Sequence, residues 1–205
     1  FFKVFTPFWN TCLEESKVIK LLQPPINIKT LFSDSLDSIN LDDLKLFPKN
    51  SKWTKKFLSY WIPGEKNALI VFKKFKKEII ENYDEGRDRP DKNYTSKLSP
   101  YLHFGEISPQ RIFDQVNKMK IINAKSKKKF LAEIGWREFS YNLLFNYPDI
   151  EYEPIQKKFK KFPWKNNSKY LSAWKEGKTG YPIVDAGMRQ LYETGWMHNR
   201  VRMIV

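Results

Sequence analysis

Beyond residue 62, no stretch of the chain alternates apolar and polar residues in the period of two that a half-buried strand requires. Apolar residues recur instead at spacings of three and four, the period of an amphipathic helix. After WIPGE at 61–65, one face carries Leu69, Phe72, Phe75 (or Lys76), Ile79 and Tyr83, with Lys and Glu opposite. Ser108 followed by Pro109 reads as a helix start. A serine hydroxyl caps free amides, and proline in the first turn forfeits no hydrogen bond. A longer helix follows Ser126, with Phe130, Ile134, Arg137, Tyr141 and Leu144 on one face, and Pro148 ends it. SKYLSAWKEG stops at Gly177, and another helix runs from Pro182 to Gly195. The last two thirds of the chain is expected to be all-α.

The first third reads differently. Residues 1–11 suggest a strand that turns at Pro7. From about 12 to 62 the text is irregular, with Pro24-Pro25, Pro48 and many Ser, Asp and Asn. A long linker with short helical turns, such as DLKLF at 43–47, is expected there. At the other end Trp196 opens a helical run with Val201, Ile204 and Val205 on one side, and no capping Gly or Asn follows. The chain also begins without Met. A piece of a larger protein is the expectation.

Hydrophobic residues make up 41% and aromatics 16%, ample for a core. No apolar run approaches the roughly 18 residues of a membrane span. Cys12 is the single cysteine, so a disulfide framework within these residues is excluded, which fits a reducing cytosol. Lys and Arg number 37 against 23 Asp and Glu, a net charge of +14. Such a surplus suits a polyanionic partner, nucleic acid first. Solvation is the competing reading, because much of the excess is Lys in short runs such as 73–77, 125–129 and 157–161.

His103 and His198 are the only histidines, far apart and without Cys partners, so no metal set is read. His103 is expected to pack or cap. No nucleophile-elbow, zinc-protease or phosphate-loop signature occurs, which argues against a hydrolase working through His or metal. Small polar residues beside basic and aromatic ones are more telling. YTSKLSPYLHFG at 94–105 offers Thr95, Ser96 and Ser99 around Lys97; it can hold a phosphate or pyrophosphate, or serve as a cap and turn. EIGWREF at 133–139 places Glu133 and Arg137 four apart on one helix face with Trp136 between them. The indole can stack on a base, or cover the core beneath a surface salt bridge. HNRVRM at 198–203 sets Asn199 near Arg202 and Met203, with Arg200 aimed elsewhere, free to meet a phosphate.

With these residues in view, the chain resembles the DNA photolyase and cryptochrome family, and within it most closely the class I type of cyclobutane-dimer photolyase. The strings that carry the resemblance are FFKVFTPFW, WIPGEKNAL, YDEGRDRPD, TSKLSPYLHFGEISPQ, WREF, WKEGKTGYPIVDAGMRQL and TGWMHNRVRM. They occur in the family's order across residues 1–10 and 61–205. Six-four photolyases and animal cryptochromes carry a second His where this chain has Asn199, and the DASH branch usually has Ser in place of His198.

The resemblance implies a mostly α fold. It assigns residues 1–10 to the end of an α/β antenna domain, closing with its last strand. Residues 11–60 become the interdomain linker, and 61–205 part of the helical FAD- and DNA-binding catalytic domain. It further implies blue-light-driven repair of pyrimidine dimers in damaged DNA by electron transfer from reduced FAD, in a cytoplasmic monomer with no membrane. A folate or deazaflavin antenna chromophore would sit in an upstream domain. Tyr83, Thr95, Ser96, Lys97, Leu98, Ser99, Arg137 and Arg202 match flavin-pocket positions. Arg87, Glu133, Trp136, Arg137 and Arg200 match DNA contacts. Glu133, Trp136, Asn199 and Met203 match residues beside the lesion, and Trp164 the outermost tryptophan of an electron relay, with Trp174 another family tryptophan. The acidic flavin-pocket residues and the two inner relay tryptophans have no counterpart in these residues. The 205 residues alone are therefore expected to bind FAD poorly and to repair nothing. Two other readings stay open, a blue-light signalling cryptochrome and a cofactor-free basic module that binds DNA.

Overall fold

The computed structural model describes residues 1–15, 21–29, 38–46 and 52–205, and among them no strand occurs. The helices are α1 (Phe5–Glu15), α2 (Lys52–Phe57), α3 (Glu65–Glu78), α4 (Tyr83–Gly86), α5 (Ser99–His103), α6 (Pro109–Lys118), α7 (Ala124–Asn146), α8 (Ser168–Lys175), α9 (Pro182–Thr194) and α10 (Asn199–Arg202). Single 3-10 turns fill Leu41–Leu44, Ile80–Asn82, Pro148–Glu151 and Lys157–Lys161. Part of the expected turn at 43–47 lies outside the described residues, as does much of the proposed linker.

The main core forms where α3, α4 and α6 meet α7. Phe72, Phe75, Ile80, Ile112, Val116 and Phe130 are at most 2% exposed there. Phe75 and Phe130 lie 4.6 Å apart, and Tyr83 presents its ring edge-on to both, at 5.6 and 5.3 Å. The helix starts follow the expected chemistry. The Ser108 hydroxyl accepts from the Arg111 amide at 3.3 Å, with Pro109 in the first turn. Gly177 and Gly195 close their helices with positive φ, 63° and 72°.

α7 begins earlier than expected. Asn123 caps it, its side-chain oxygen accepting from the amides of Lys125 and Ser126 at 3.1 Å each, and Ser126 is fully buried inside the helix. The buried stripe is Phe130, Leu131, Ile134, Gly135 and Phe139, while Tyr141 and Leu144 are exposed. The stripe is wider than the expected face because a second helix covers α7 from another side.

That helix is α1, and it replaces the strand expected over residues 1–11. Phe5, Phe8 and Trp9 stand at helical spacing, and Pro7 is the third residue of the helix, where no amide partner exists to be lost. Phe5 stacks on Trp136 at 3.8 Å, nearly parallel. Trp9 lies so close to Gly135 that any Cβ there would stand 2.3 Å from the indole.

A smaller cluster holds the C-terminal helices together through Met188, Met197 and Val201. α2 is tied to α9 by Lys56 and Glu193 at 2.6 Å. The Trp61 indole N–H donates to the Thr194 carbonyl at 2.6 Å. Asp185 gathers the turn before α9, accepting from the Thr179 amide and hydroxyl (2.7 and 2.6 Å) and from the Gly180 amide (3.0 Å). The Thr179 hydroxyl and these amides outweigh burial and keep its carboxyl below the usual carboxylate range. The terminal helix is α10 alone. It starts at Asn199 rather than at Trp196, because the imidazole of His198 caps it. α10 rests directly on Gly187 of α9, where an added Cβ would lie 2.4 Å from a Val201 methyl.

Gly187→Ala therefore tests the packing. In an open helix, alanine stabilises over glycine by about 1 kcal/mol. Here the overpacking of stiff Val201 reverses the sign, and a net loss of about 1–2 kcal/mol is expected as a lower urea midpoint.

Candidate functional site

Four segments converge: the end of α4, the turn at Thr95–Ser99, the middle of α7, and residues 196–203. α4 is set on α7 by a buried node. The Ser126 hydroxyl accepts from the Asp84 amide at 2.9 Å and lies 2.9 Å from its carboxylate, which also accepts from Asn123 at 3.1 Å. Lys125 stands 3.5 Å from the same carboxylate. The Ser126 hydrogen bond leads these effects, and together they outweigh burial and hold the Asp84 carboxyl below its usual range.

Arg87 follows directly. Its guanidinium donates to Glu133 of α7 and lies over the Tyr83 ring at 5.7 Å. Arg87 Nε is 3.5 Å from Asp88 Oδ1, and the same oxygen is 2.7 Å from Arg200. Arg200 in turn reaches the Met203 sulfur at 3.4 Å. The chain Glu133–Arg87–Asp88–Arg200–Met203 thus spans α4, α7 and the C-terminal segment. Burial favours the neutral acid at Asp88, but the Arg200 hydrogen bond and charge, with Arg87, prevail and hold its carboxyl below the usual range. Burial is the largest single effect on Arg87 and opposes its charge, but the bond to Glu133 together with the charges of Tyr83, Glu133 and Asp88 outweighs it, so its pKa is raised.

Two expectations from spacing are not met. Glu133 pairs with Arg87, not with Arg137 four residues on. Arg137 turns to Glu138 at 2.6 Å and packs on the Tyr141 ring at 4.8 Å. Proximity in space supplies Glu133 with a more buried partner than its own helix does. Arg200 is not free either, since Asp88 holds it. Trp136 is 46% exposed, with one face on Phe5 and an edge-on contact with Phe139 at 5.8 Å.

The turn at Thr95–Ser99 joins the site through Lys97. Its backbone is left-handed, φ 53°, and its ammonium lies 5.3 Å from the Trp196 ring centroid. Ser96 accepts weakly from the Leu98 amide at 3.4 Å. The Thr95 hydroxyl is buried with no hydrogen-bond partner. An orphaned hydroxyl in this turn is what a phosphate-bearing ligand would satisfy. Tyr83 is 7% exposed and belongs mainly to the core, so only its edge can border a ligand. Burial leads in pushing its hydroxyl pKa above the ordinary 10.0. Asn199, Arg202 and Met203 are exposed on or beside α10. Trp164 stands apart in the loop before α8, 80% exposed beside Phe162. Trp174 donates to the Val205 carbonyl at 3.2 Å.

Spacing gave no warning of two residues. Asp88 acts across sequence distance, and its signals are its place between Arg87 and Arg89 and within the string YDEGRDRPD. His198 is the capping histidine, whereas His103 is exposed against Phe104.

The comparisons with known proteins meet this geometry. Residues 130–205 match the family described as the FAD binding domain of DNA photolyase. A crystal structure of a bacterial class III photolyase from Agrobacterium tumefaciens superposes with a TM-score of 0.90 at 40% identity, over 99% of this chain and 42% of that one. The chain belongs to the DNA photolyase and cryptochrome family. The deoxyribodipyrimidine photo-lyase of Agrobacterium fabrum is 41% identical over all of this chain and 43% of its own length. Cryptochrome-2 of Arabidopsis thaliana is 35% identical over all of this chain and 35% of its own. The chain thus spans less than half the length of these photolyase and cryptochrome relatives. They include photolyases and a cryptochrome, and the superposed photolyase is described as class III. No helix among the described residues is long and apolar enough to cross a membrane.

His198 offers a test that needs no substrate. It is 2% exposed, its Nδ1 accepts from the Arg200 amide at 3.1 Å, and its Nε2 has no partner. Burial, then the Arg200 charge, holds its pKa below the ordinary 6.5 against an upward pull from Asp88. The unfolded chain then binds the proton first as pH falls through 6.5, so this contribution is complete above that value and shrinks below it. Stability from urea denaturation is expected to fall between pH 6.5 and about 5, ahead of most carboxylates. His198→Asn, a cap that does not titrate, should flatten that slope.

Proposed function

We propose that this chain is the part of a cyclobutane-dimer photolyase that receives the damaged strand, working as a cytoplasmic monomer. The observation that carries the reading is the single ionic chain that brings Glu133, Arg87, Arg200 and Met203 together, one helical turn from the exposed face of Trp136. A carboxylate, an open indole and two guanidiniums suit a base taken out of its stack beside a phosphate backbone. Trp136 would stack on the dimer and Glu133 would accept from its edge. Arg200 would meet a phosphate, Arg87 would bear on the DNA face through its partner Glu133, and Asn199 and Met203 would border the lesion. Residues 1–10 would adjoin an upstream antenna domain carrying a folate or deazaflavin, residues 11–60 would lead from it, and 61–205 would do the binding.

The residues present fit FAD. The unpartnered Thr95 hydroxyl, with Ser96, Lys97, Leu98 and Ser99, would hold its phosphates, and Tyr83, Arg137 and Arg202 would border the pocket. Reduced FAD, when bound and excited by blue light, supplies the electron that splits the dimer. The protein's own part is to bind, orient and exclude water, so no acid–base dyad is needed. Trp164 would be the outer station for electrons entering the site.

The similarity to plant Cryptochrome-2 over the whole chain supports a second reading, blue-light signalling without repair. The complete gene product with its flavin separates the two. For a repair enzyme, UV-irradiated oligothymidylate loses its dimers under blue light and binds more tightly than unirradiated strand. Trp136→Ala should weaken binding of the irradiated strand by about 1–3 kcal/mol, the value of one stacked base. Tight flavin binding with neither repair nor preference for the irradiated strand would favour signalling.

A further inference from the structure

Three arginines around the proposed DNA face are engaged with acids of the chain itself. Arg87 is bound to Glu133, Arg89 to Asp91 at 2.8 Å, and Arg200 to Asp88 at 2.7 Å. One carboxylate oxygen, Asp88 Oδ1, sits between two of these cations, in contact with Arg200 and 3.5 Å from Arg87 Nε. Arg87 is largely buried, its side chain 12% exposed, and cannot swing out to water, whereas Arg200 is 40% exposed and can. The acid that satisfies Arg87 is the same Glu133 that the repair reading assigns to the flipped base.

We propose that Asp88 is a specificity-determining positioning residue, which holds Arg200 off an undamaged backbone and releases it when Glu133 engages a lesion. This rests on the repair reading of the site. When Glu133 turns to a base edge, buried Arg87 loses its partner. A largely buried guanidinium without a counter-charge is costly, and Asp88, already within reach, is drawn to it. Arg200 then has no acid and meets a phosphate. Lesion recognition at α7 is thereby coupled to a backbone contact from α10, through one shared oxygen.

The test is the salt dependence of binding by the complete gene product with its flavin, using one thymine-rich duplex, UV-irradiated or not. Each phosphate neutralised adds about −0.9 to the slope of log K against log salt. For the unaltered protein the irradiated duplex should give a slope steeper by about that amount. Asp88→Asn should release Arg200 permanently. Affinity for the unirradiated duplex should then rise about three- to fivefold, its slope should steepen to match the irradiated one, and discrimination should fall by a similar factor. Adding Arg200→Gln to Asp88→Asn should abolish that gain. A merely structural Asp88 would weaken binding to both duplexes instead. Equal slopes in the unaltered protein, or an Asp88→Asn variant that binds unirradiated DNA no better, overturn the proposal while a preference for irradiated DNA leaves the repair reading standing. An unaltered protein with no such preference overturns both.

Discussion

The buried hydrogen bond between Ser126 and Asp84 is the hinge on which the rest is hung. A carboxylate in a core is tolerated only when donors surround it, and here they come from the first turn of α7 and its cap. Asn123 serves twice, capping α7 through its oxygen and donating to Asp84 through its amide nitrogen. Helix start and interhelical contact are therefore one structure. Because α4 is a single turn, it has little rigidity of its own, and the node fixes where Arg87 and Asp88 emerge. The ionic chain to Glu133 and Arg200 follows from that anchorage.

The charge of the chain divides by residue type. Lysine supplies the bulk of the excess, and part of it is structural. In the run at 125–129, Lys127 donates to the carbonyls of Asn117 and Met119 at the end of α6, and Lys129 to the Asp84 carbonyl. Neither solvation nor polyanion binding alone describes that run. The arginines are fewer, and Arg87, Arg89, Arg111, Arg137 and Arg200 are placed where a planar fork meets a carboxylate. A general electrostatic pull and a restrained set of specific contacts thus coexist on one surface.

Much of the helical body was legible because it is written in local chemistry. Ser108–Pro109, Gly177 and Gly195 each act within a few residues, and the structure uses them as read; the apolar spacing after WIPGE holds through Phe75, but α3 stops at Glu78, so Ile79 caps it and Tyr83 opens α4. What was illegible depends on partners far along the chain. Residues 1–11 looked like a strand because aromatic, β-favouring residues dominate them; their helical character is decided by burial of Phe5 and Trp9 against α7. Glu133 and Arg137 looked like a pair because helix geometry allows it, and a closer cation from α4 took the place. The segments YTSKLSPYLHFG, EIGWREF and HNRVRM were visible as candidates one by one. That they meet was not visible, since Asp88, the residue joining two of them, lies in a different string, YDEGRDRPD, 112 residues before Arg200. Resemblance to a family supplied the grouping that spacing could not.

The stacking of Phe5 on Trp136 bears on more than the docking of α1. An indole at a surface ordinarily samples several rotamers, and a ligand that stacks on it must freeze that freedom at the moment of contact. Here the phenyl ring has already chosen the rotamer and occupies one face. Trp136 is a shelf with one usable side, its entropy surrendered when the chain folds and not when a base arrives. Any planar guest meets a surface of fixed tilt, and the orientation of that surface is inherited from the first turn of α1.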